Sequence, residues 1–394
     1  MSFFTAGLIA FLALACGEGA QSERAPSLTV NGTACEAIAN VDPLATGLTW
    51  PRWRFFRREK FLRVGSSVLA LTDGAIYVLP TESGEPTPLY RYDGTVLLWA
   101  EDNGSLVLYR AIRSPLRFLI DRIDVPSGAV ETLEFDRADV PVAFRWDPRW
   151  VDGRLYATQR IPAADDADRR DTQLQVWDPR IGETRVLEPT LTLDQRRLLT
   201  SDTMVLASEE LNGAGPPALS IAKIDLTLDQ VHEVQARGRA GERLSSVFAV
   251  NDDSVFINLS TRLDDGVEGG FPVFARRLLR IDPVLGTSED IPNDRIDPQF
   301  LRAIGSERRF FLERSQADDG ETDAYRFVQL SDRGASLSMR SCWSDLLYLW
   351  PEDFTPDGDD LLVAIPSSVG RYDVLRLEGA LSEAAVTRGA MRDP

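Results

Sequence analysis

The chain has 394 residues, is 43% hydrophobic and carries a formal net charge of −18 at pH 7. The hydrophobic fraction is enough to build a sizeable core, which excludes an intrinsically disordered chain. The negative charge excludes nucleic acid as a partner, because nucleic-acid binding draws its affinity from lysine and arginine on phosphates.

The chain begins with an apolar leader. Residues 3–15 read FFTAGLIAFLALA, a run too short to cross a bilayer as a helix but as long as the hydrophobic region of a signal peptide. We therefore expect residues 1–15 to be a signal peptide and the protein to be exported.

The end of this leader, LALAC at residues 12–16, resembles the lipobox of bacterial lipoproteins. The resemblance implies that Cys16 is lipidated and becomes the new N-terminus. By the same resemblance, Gly17 after the cysteine implies sorting to the outer membrane, with the protein facing the periplasm or the cell surface. Cleavage of an ordinary signal peptide near this point is the alternative.

Two further cysteines, Cys35 and Cys342, remain once Cys16 is taken by lipid. An even remainder in an oxidising compartment predicts one disulfide, which would close a loop of about 300 residues and pin the N-terminal segment against the last repeats. Two unpaired buried thiols are the alternative. We expect residues 16–49 to hold the anchor site and an N-terminal tether.

Past residue 50 a short pattern recurs. An apolar strand ends, a polar or turn residue follows, and a glycine or turn residue comes about four positions later, as at Asp124 and Gly128 or Asp178 and Gly182. The aspartate can accept a hydrogen bond from the backbone two residues on, and the glycine supplies a positive φ. Each instance predicts a hairpin between the last two strands of a repeat. The instances begin at residues 80, 124, 178, 225, 282, 331 and 378, so they lie 44 to 57 residues apart.

A second hairpin precedes most of these instances. Asn-Gly at 103–104 and Asp-Gly at 152–153 lie between apolar runs and are strong hairpin signals. Two hairpins per repeat give four antiparallel strands. The sequence therefore predicts an all-β fold, a β-propeller of about seven four-stranded blades over residues 50–386, with a C-terminal tail at 387–394. Helical turns are expected at 191–198 and in the last dozen residues.

Polar insertions separate the two hairpins in several repeats. Because they fall at the same place in the repeat, they should project from one face, which is often the binding face of a repeat fold. The insertions are residues 163–171, 212–217, 264–270 and 316–323.

One repeat carries a closer resemblance. Residues 354–364 read FTPDGDDLLVA, which is similar to the WD40-like repeat of periplasmic Tol-system propellers. The resemblance covers one blade and implies the architecture rather than a function.

Few residues point to catalysis. His232 is the one histidine, and its place in a last strand predicts a surface position. The acidic clusters 318–323 and 357–360 are turn acids in the simpler interpretation, with calcium as the alternative ligand, and we expect no other cofactor. Tryptophans are expected to pack between blades: Trp99, Trp146, Trp150, Trp177, Trp343 and Trp350.

These observations favour a non-catalytic binding or interaction propeller of the cell envelope. The expected partner is an envelope protein or peptide, the expected state is a monomer, and the membrane is reached through the lipid anchor only. One alternative is a glycan-active hydrolase or lyase that uses carboxylates at the central channel. Another is a structural ring inside an outer-membrane assembly, which would require an exposed apolar patch on one face. Channel acids with raised pKa values would favour the enzyme, and a channel filled by apolar side chains would contradict it.

Overall fold

In the computed structural model, the described part of the chain comprises residues 27–30, 33–36, 38, 40–50, 60–81, 84–145, 148–162, 170–191, 196–199, 202–210, 215–251, 253–263, 274–291, 301–304, 310–316, 323–330, 337–345 and 354–382. These residues fold almost entirely into β-strands. Within them, the one helical element is the 3₁₀ turn Val142–Arg145.

The strands form a two-stranded hairpin and seven four-stranded antiparallel sheets, each of which we call a blade. The N-terminal strands are β1 (Ser27–Val30), β2 (Thr33–Glu36) and β3 (Val41–Thr49). Blade 1 contains β4 (Phe61–Val64), β5 (Ser67–Thr72), β6 (Ala75–Val78) and β7 (Thr87–Arg91). Blade 2 contains β8 (Thr95–Asp102), β9 (Ser105–Arg113), β10 (Leu116–Asp124) and β11 (Val130–Asp136). Blade 3 contains β12 (Arg149–Val151), β13 (Arg154–Pro162), β14 (Arg170–Asp178) and β15 (Glu183–Leu191).

The remaining blades follow the same order along the chain. Blade 4 contains β16 (Arg196–Leu199), β17 (Thr203–Glu210), β18 (Ala218–Asp225) and β19 (Gln230–Arg237). Blade 5 contains β20 (Glu242–Val250), β21 (Val255–Arg262), β22 (Phe274–Ile281) and β23 (Ser288–Asp290). Blade 6 contains β24 (Leu301–Ile304), β25 (Phe310–Gln316), β26 (Asp323–Leu330) and β27 (Leu337–Asp345). Blade 7 contains β28 (Phe354–Asp357), β29 (Asp360–Ser368), β30 (Arg371–Leu377) and, as its outermost strand, β3.

The core lies between the blades. Each blade packs on the next through its own apolar cluster, as where Tyr109 of blade 2 joins Trp150 and Trp177 of blade 3. These clusters lead from blade 1 round to blade 7, and the last of them packs Tyr372 of blade 7 with Phe61 of blade 1. Blades that pack face to face in a closed circuit define a β-propeller, so the predicted fold class is confirmed.

The ring is closed by the N-terminal strand. β3 pairs antiparallel with β30, Val41 opposite Leu377 and Thr49 opposite Arg371. Residues 41–49, which the sequence analysis assigns to the tether, therefore belong to blade 7. Pro43 and Gly47 interrupt the strand pattern in this segment, which hides it from a periodicity argument and suits an edge strand with an irregular register.

Two local expectations from the sequence need correction. Residues 191–198 were expected to be helical, but β15 ends at Leu191 and β16 begins at Arg196, because pairing with β17 overrides the local pattern. The last turn motif, at residue 378, does not lead into a fourth strand of its own, since β3 already occupies that place. The tail 387–394 lies outside the described residues.

The tryptophan prediction holds wherever it can be checked. Trp99 packs between blades 1 and 2, Trp150 and Trp177 between blades 2 and 3, and Trp343 between blades 6 and 7. Trp146 and Trp350 lie outside the described residues. Large side chains of this kind each stabilise the fold by about 1.5–3 kcal/mol when they are withdrawn from water.

Candidate binding faces

The blades present two different faces. Each blade runs from its innermost strand outward, so its successive connections alternate between the two ends of the strands. We call the end that carries the turns between third and fourth strands the turn face, which includes residues 179–182, 226–229 and 282–287. We call the other end the insertion face. It carries the connections between second and third strands and the links between blades.

The four predicted insertions all fall on the insertion face. They join second and third strands in blades 3, 4, 5 and 6, which are neighbours in the ring. The corresponding connections in blades 1, 2 and 7 are two residues long, at 73–74, 114–115 and 369–370. The central parts of the insertions lie outside the described residues. Their strand ends show that the long connections are grouped over adjacent blades.

The turn face is built from short local motifs. In three consecutive blades an aspartate at the end of the third strand, or directly after it in blade 5, accepts a backbone N–H two residues on. The distances are 2.8–2.9 Å in the pairs Asp178–Arg180, Asp225–Thr227 and Asp282–Val284. A residue with positive φ follows in each turn, at Gly182, Asp229 and Gly286. The turn chemistry predicted from the repeat is therefore confirmed in blades 3, 4 and 5.

These hydrogen bonds hold the turn carboxylates in their ionised form. The N–H groups of Leu285 and Val284 lower the pKa of Asp282. At Asp225, partial burial acts to raise the pKa, but hydrogen bonds from Thr227 and Leu228 outweigh it and the pKa is lowered. Both aspartates thus serve as caps for turns.

The insertion face is held by long-range ion pairs. Glu242 is buried at the start of inner strand β20. Its carboxylate accepts two hydrogen bonds from Arg277, from Nε at 2.7 Å and from Nη2 at 2.6 Å. It accepts a third from the backbone N–H of Arg239 at 2.6 Å. Asp290 accepts from both arginines. This network fixes the link between blades 4 and 5, because Arg239 lies within that link.

The network also sets the protonation of its acids. Burial acts to raise the pKa of Glu242, but the hydrogen bonds from Arg277 and Arg239 outweigh it and the pKa is lowered. The hydrogen bond from Arg277 likewise lowers the pKa of Asp290. A general acid needs the opposite shift, so these carboxylates act as anchors rather than proton donors.

Arginines fix a second link in the same way. Arg110 of β9 donates from Nε to Asp121 at 2.6 Å and from Nη1 to the carbonyl of Asp93 at 3.0 Å, and it also contacts the Asp93 carboxylate. Asp93 lies in the link between blades 1 and 2, and Asp121 is fully buried. Thr132 completes the site by donating to Asp121 at 2.7 Å.

The link between blades 2 and 3 is held by Arg145. Its Nε donates to the carbonyl of Val140 at 2.9 Å and its Nη2 to the carbonyl of Arg137 at 2.7 Å. Three links on the insertion face are therefore fixed by arginine side chains, whose planar donor groups suit such contacts.

The acids at 357–360 are engaged by arginines and by the backbone. Asp357 of inner strand β28 pairs with Arg63 of inner strand β4 and lies 3.8 Å from Arg376, and Asp360 accepts the backbone N–H of Gly379 at 2.8 Å. In the described ranges, no group of three or more His, Cys, Asp or Glu side chains is arranged to hold a metal ion. Most of the other cluster, 318–323, lies outside those ranges.

The predicted cysteine sites are only partly covered by the structure. Cys16 lies outside the described residues, while Cys35 belongs to β2 and Cys342 to β27, both with undescribed side chains. Strands β2 and β27 lie beside each other. No described helix has the length and apolar character needed to span a membrane.

His232 occupies the predicted place. It lies on outermost strand β19 and is exposed, opposite Lys223 of β18. Sequence reasoning missed the arginine network of the insertion face, because its members are scattered along the chain and none belongs to a motif. The sequence contains many arginines, but their number does not indicate which of them pair with which carboxylates.

Comparisons with known proteins show no family. No family model and no curated protein matches the chain. Among solved structures, it is similar to tricorn protease with a TM-score of 0.43 at 10% identity, over 93% of this chain and 35% of the protease. It is also similar to the N-terminal domain of Nup159, with a TM-score of 0.40 at 10% identity, over 85% of this chain and 94% of that domain. For TolB from Acinetobacter baumannii the TM-score is 0.29 at 12% identity, over 69% of this chain and 62% of TolB.

Proposed function

We propose that the protein is a non-catalytic binding propeller of the cell envelope, which takes a protein or peptide partner on its insertion face. The observation that carries the proposal is the grouping of four long connections over adjacent blades. In blade 5, the ion pair between Arg277 and Glu242 fixes the adjoining link to blade 4. Variable loops on a rigid scaffold are the usual construction of a binding surface.

The described inner strands favour binding over catalysis. Glu242 and Asp357, both on inner strands, are paired with arginines, and the pKa of Glu242 is lowered. A glycosidase needs a carboxylic acid with a raised pKa beside a second carboxylate. The enzyme alternative would be supported if the purified protein released soluble saccharides from envelope glycans.

We further propose that Cys16 carries a lipid and that Cys35 and Cys342 form a disulfide. The position of β2 beside β27 supports the disulfide, because these strands carry the two cysteines. Intact mass spectrometry of the protein from its native membranes tests both. We expect a diacyl or triacyl addition at Cys16 and a two-proton gain on reduction. An unlipidated chain with free thiols would overturn both assignments.

Site-specific photo-crosslinking in cells tests the binding face. A photoreactive residue replaces Val267, within the blade 5 insertion, and the control replaces His232, which is exposed on an outer strand. We expect one reproducible protein adduct from position 267 and none from position 232. The adduct should disappear when residues 263–273 are replaced by the two-residue turn of blade 7. Equal labelling at both positions, or no adduct at 267, would contradict the proposal.

A further inference from the structure

Several exposed apolar side chains of the described residues lie on the turn face. The described residues include ten large apolar side chains that are exposed, and six of them lie on the turn face: Val41, Val130, Ile181, Leu228, Val284 and Leu285. Four of the six stand at turn tips and are 63–75% exposed: Ile181, Leu228, Val284 and Leu285. Single exposed apolar side chains are normal on a protein surface, so what distinguishes these four is their recurrence at turn tips of three consecutive blades.

The four side chains belong to three turns in consecutive blades, and each turn is held by local hydrogen bonds. Ile181 belongs to the turn of blade 3, Leu228 to that of blade 4, and Val284 and Leu285 to that of blade 5. The aspartate of each turn accepts local N–H groups, including those of Leu228 at 3.0 Å and of Val284 and Leu285 at 2.8 Å. These turns can therefore enter a less polar medium without leaving those donors unsatisfied.

The N-terminal part of the chain joins the ring at the same face. Val41 pairs with Leu377 at the turn-face end of blade 7, and the carbonyl of Asn40 accepts the N–H of Glu378 at 3.1 Å. Glu36, which pairs with Ser27, precedes Val41 by five residues, a reach of at most about 18 Å. The apolar leader and Cys16 lie just before Ser27 in the sequence.

We propose that the turn face rests on a lipid bilayer, with Ile181, Leu228, Val284 and Leu285 inserted at the boundary between headgroups and acyl chains. Sequence analysis predicted membrane contact through the lipid anchor only, and these tips add a second contact that does not depend on the lipid. Separate tips suit a bilayer, because a bilayer requires no matching shape, whereas a protein partner requires a contiguous complementary patch. The net charge of −18 opposes anionic lipids, so the surface is a zwitterionic one.

Co-flotation with phosphatidylcholine vesicles tests the proposal. The chain from residue 17 onward keeps every described strand and carries neither leader nor lipid, so vesicle binding must come from the folded protein. We expect binding that changes little between low and high salt, because apolar insertion is not screened. The variant Ile181→Ser, Leu228→Ser, Val284→Ser, Leu285→Ser should bind at least about tenfold more weakly.

The matched control changes exposed apolar residues of the insertion face. Val142, Leu263 and Val369 are 56%, 61% and 105% exposed, so Val142→Ser, Leu263→Ser, Val369→Ser removes exposed apolar surface from the opposite side and should leave vesicle binding unchanged. Both variants should keep the thermal midpoint of the parent, since the replaced side chains are exposed. Absence of vesicle binding by the parent, or equal loss in both variants, would overturn the proposal. The crosslinking test at position 267 does not depend on this outcome.

Discussion

The turns of the turn face and the links of the insertion face are stabilised by contacts over different sequence distances. The aspartate that begins a turn accepts N–H groups two or three residues on, as Asp282 does from Val284 and Leu285, although long-range contacts from Tyr156 and Arg185 also reach the blade 4 turn. On the insertion face, Arg277 reaches Glu242 across 35 residues and Arg239 reaches Asp290 across 51. The local hydrogen bonds set the backbone of each turn, whereas the long-range pairs of the links hold neighbouring parts of the ring together. We expect substitutions of the buried ion-pair residues that hold the links to cost more stability than substitutions within the turns.

The largest effect is expected at Asp121. Asp121→Ala leaves the buried Arg110 guanidinium without its main partner, and breaking a buried ion pair costs about 3–5 kcal/mol. The free energy of unfolding in urea measures the loss. Glu131→Ala, at an exposed position of the same blade, is the control and should change stability by less than about 0.5 kcal/mol. Similar losses of unfolding free energy in the two variants would show that the buried pair between Arg110 and Asp121 adds no more stability than an exposed residue.

The next effect is expected at Glu242 and depends on pH. Glu242→Gln removes a charged acceptor and should cost about 1.5–3 kcal/mol at pH 7. The pKa of Glu242 is lowered in the folded protein from its ordinary value of 4.5, so its contribution is present above that value and is lost as pH falls through the folded pKa.

Urea unfolding of wild type and variant between pH 7 and pH 3 measures this effect. The gap between the two proteins should close as the pH falls below 4.5. The control is Glu289→Gln, an exposed acid of the same blade that pairs with Arg280. A gap that stays constant across this range would contradict the assigned role of Glu242.

A smaller effect is expected at Gly182 on the turn face. Its φ is +73° and no atom lies within 4 Å of an added Cβ, so Gly182→Ala should cost about 1–2 kcal/mol from backbone strain alone. Gly182→Asn should recover part of the loss, because asparagine tolerates this conformation and blade 4 already places Asp229 there. Thermal unfolding of both variants tests whether Gly182→Ala loses more stability than Gly182→Asn. Equal losses would show that φ is not the cause.

The smallest effect is expected at Tyr156, which joins blades 3 and 4. Its hydroxyl donates to the carbonyl of Leu226 at 2.6 Å. Tyr156→Phe should cost about 1 kcal/mol, because the ring packing is kept and only the hydroxyl contacts are lost, to Leu226 and, at 3.2 Å, to Asp229. Thermal unfolding gives the value. A loss as large as that of Asp121→Ala would show that the long-range contacts of the turn face stabilise the ring as strongly as those of the insertion face.

The same contrast explains what could be predicted from the sequence. The turn motifs were readable because Asp178 and Gly182, for example, lie within one short segment whose chemistry sets the turn. The blade order followed from repeating those segments. The role of β3 was not readable, because Pro43 and Gly47 interrupt its pattern and its partner, β30, is more than 300 residues away.

The arginine network also could not be predicted from the sequence. Glu242 and Arg277 resemble many other charged residues in an acidic chain, and only the pairing of β20, β21 and β22 brings them together. The exposed tips, in contrast, were visible as apolar residues inside polar turns. Their common face became apparent only once the strand order was known.

The central claim is that the two faces have opposite roles, with the turn face toward the bilayer and the insertion face toward a partner. Labelling of native membranes with a lipid-soluble photoactivated probe, followed by peptide mapping, tests it most directly. We predict label at Ile181, Leu228 and the Val284–Leu285 tip, and none at Val142 or Val369. Label on Val142 or Val369, or none on the tips, would contradict the account.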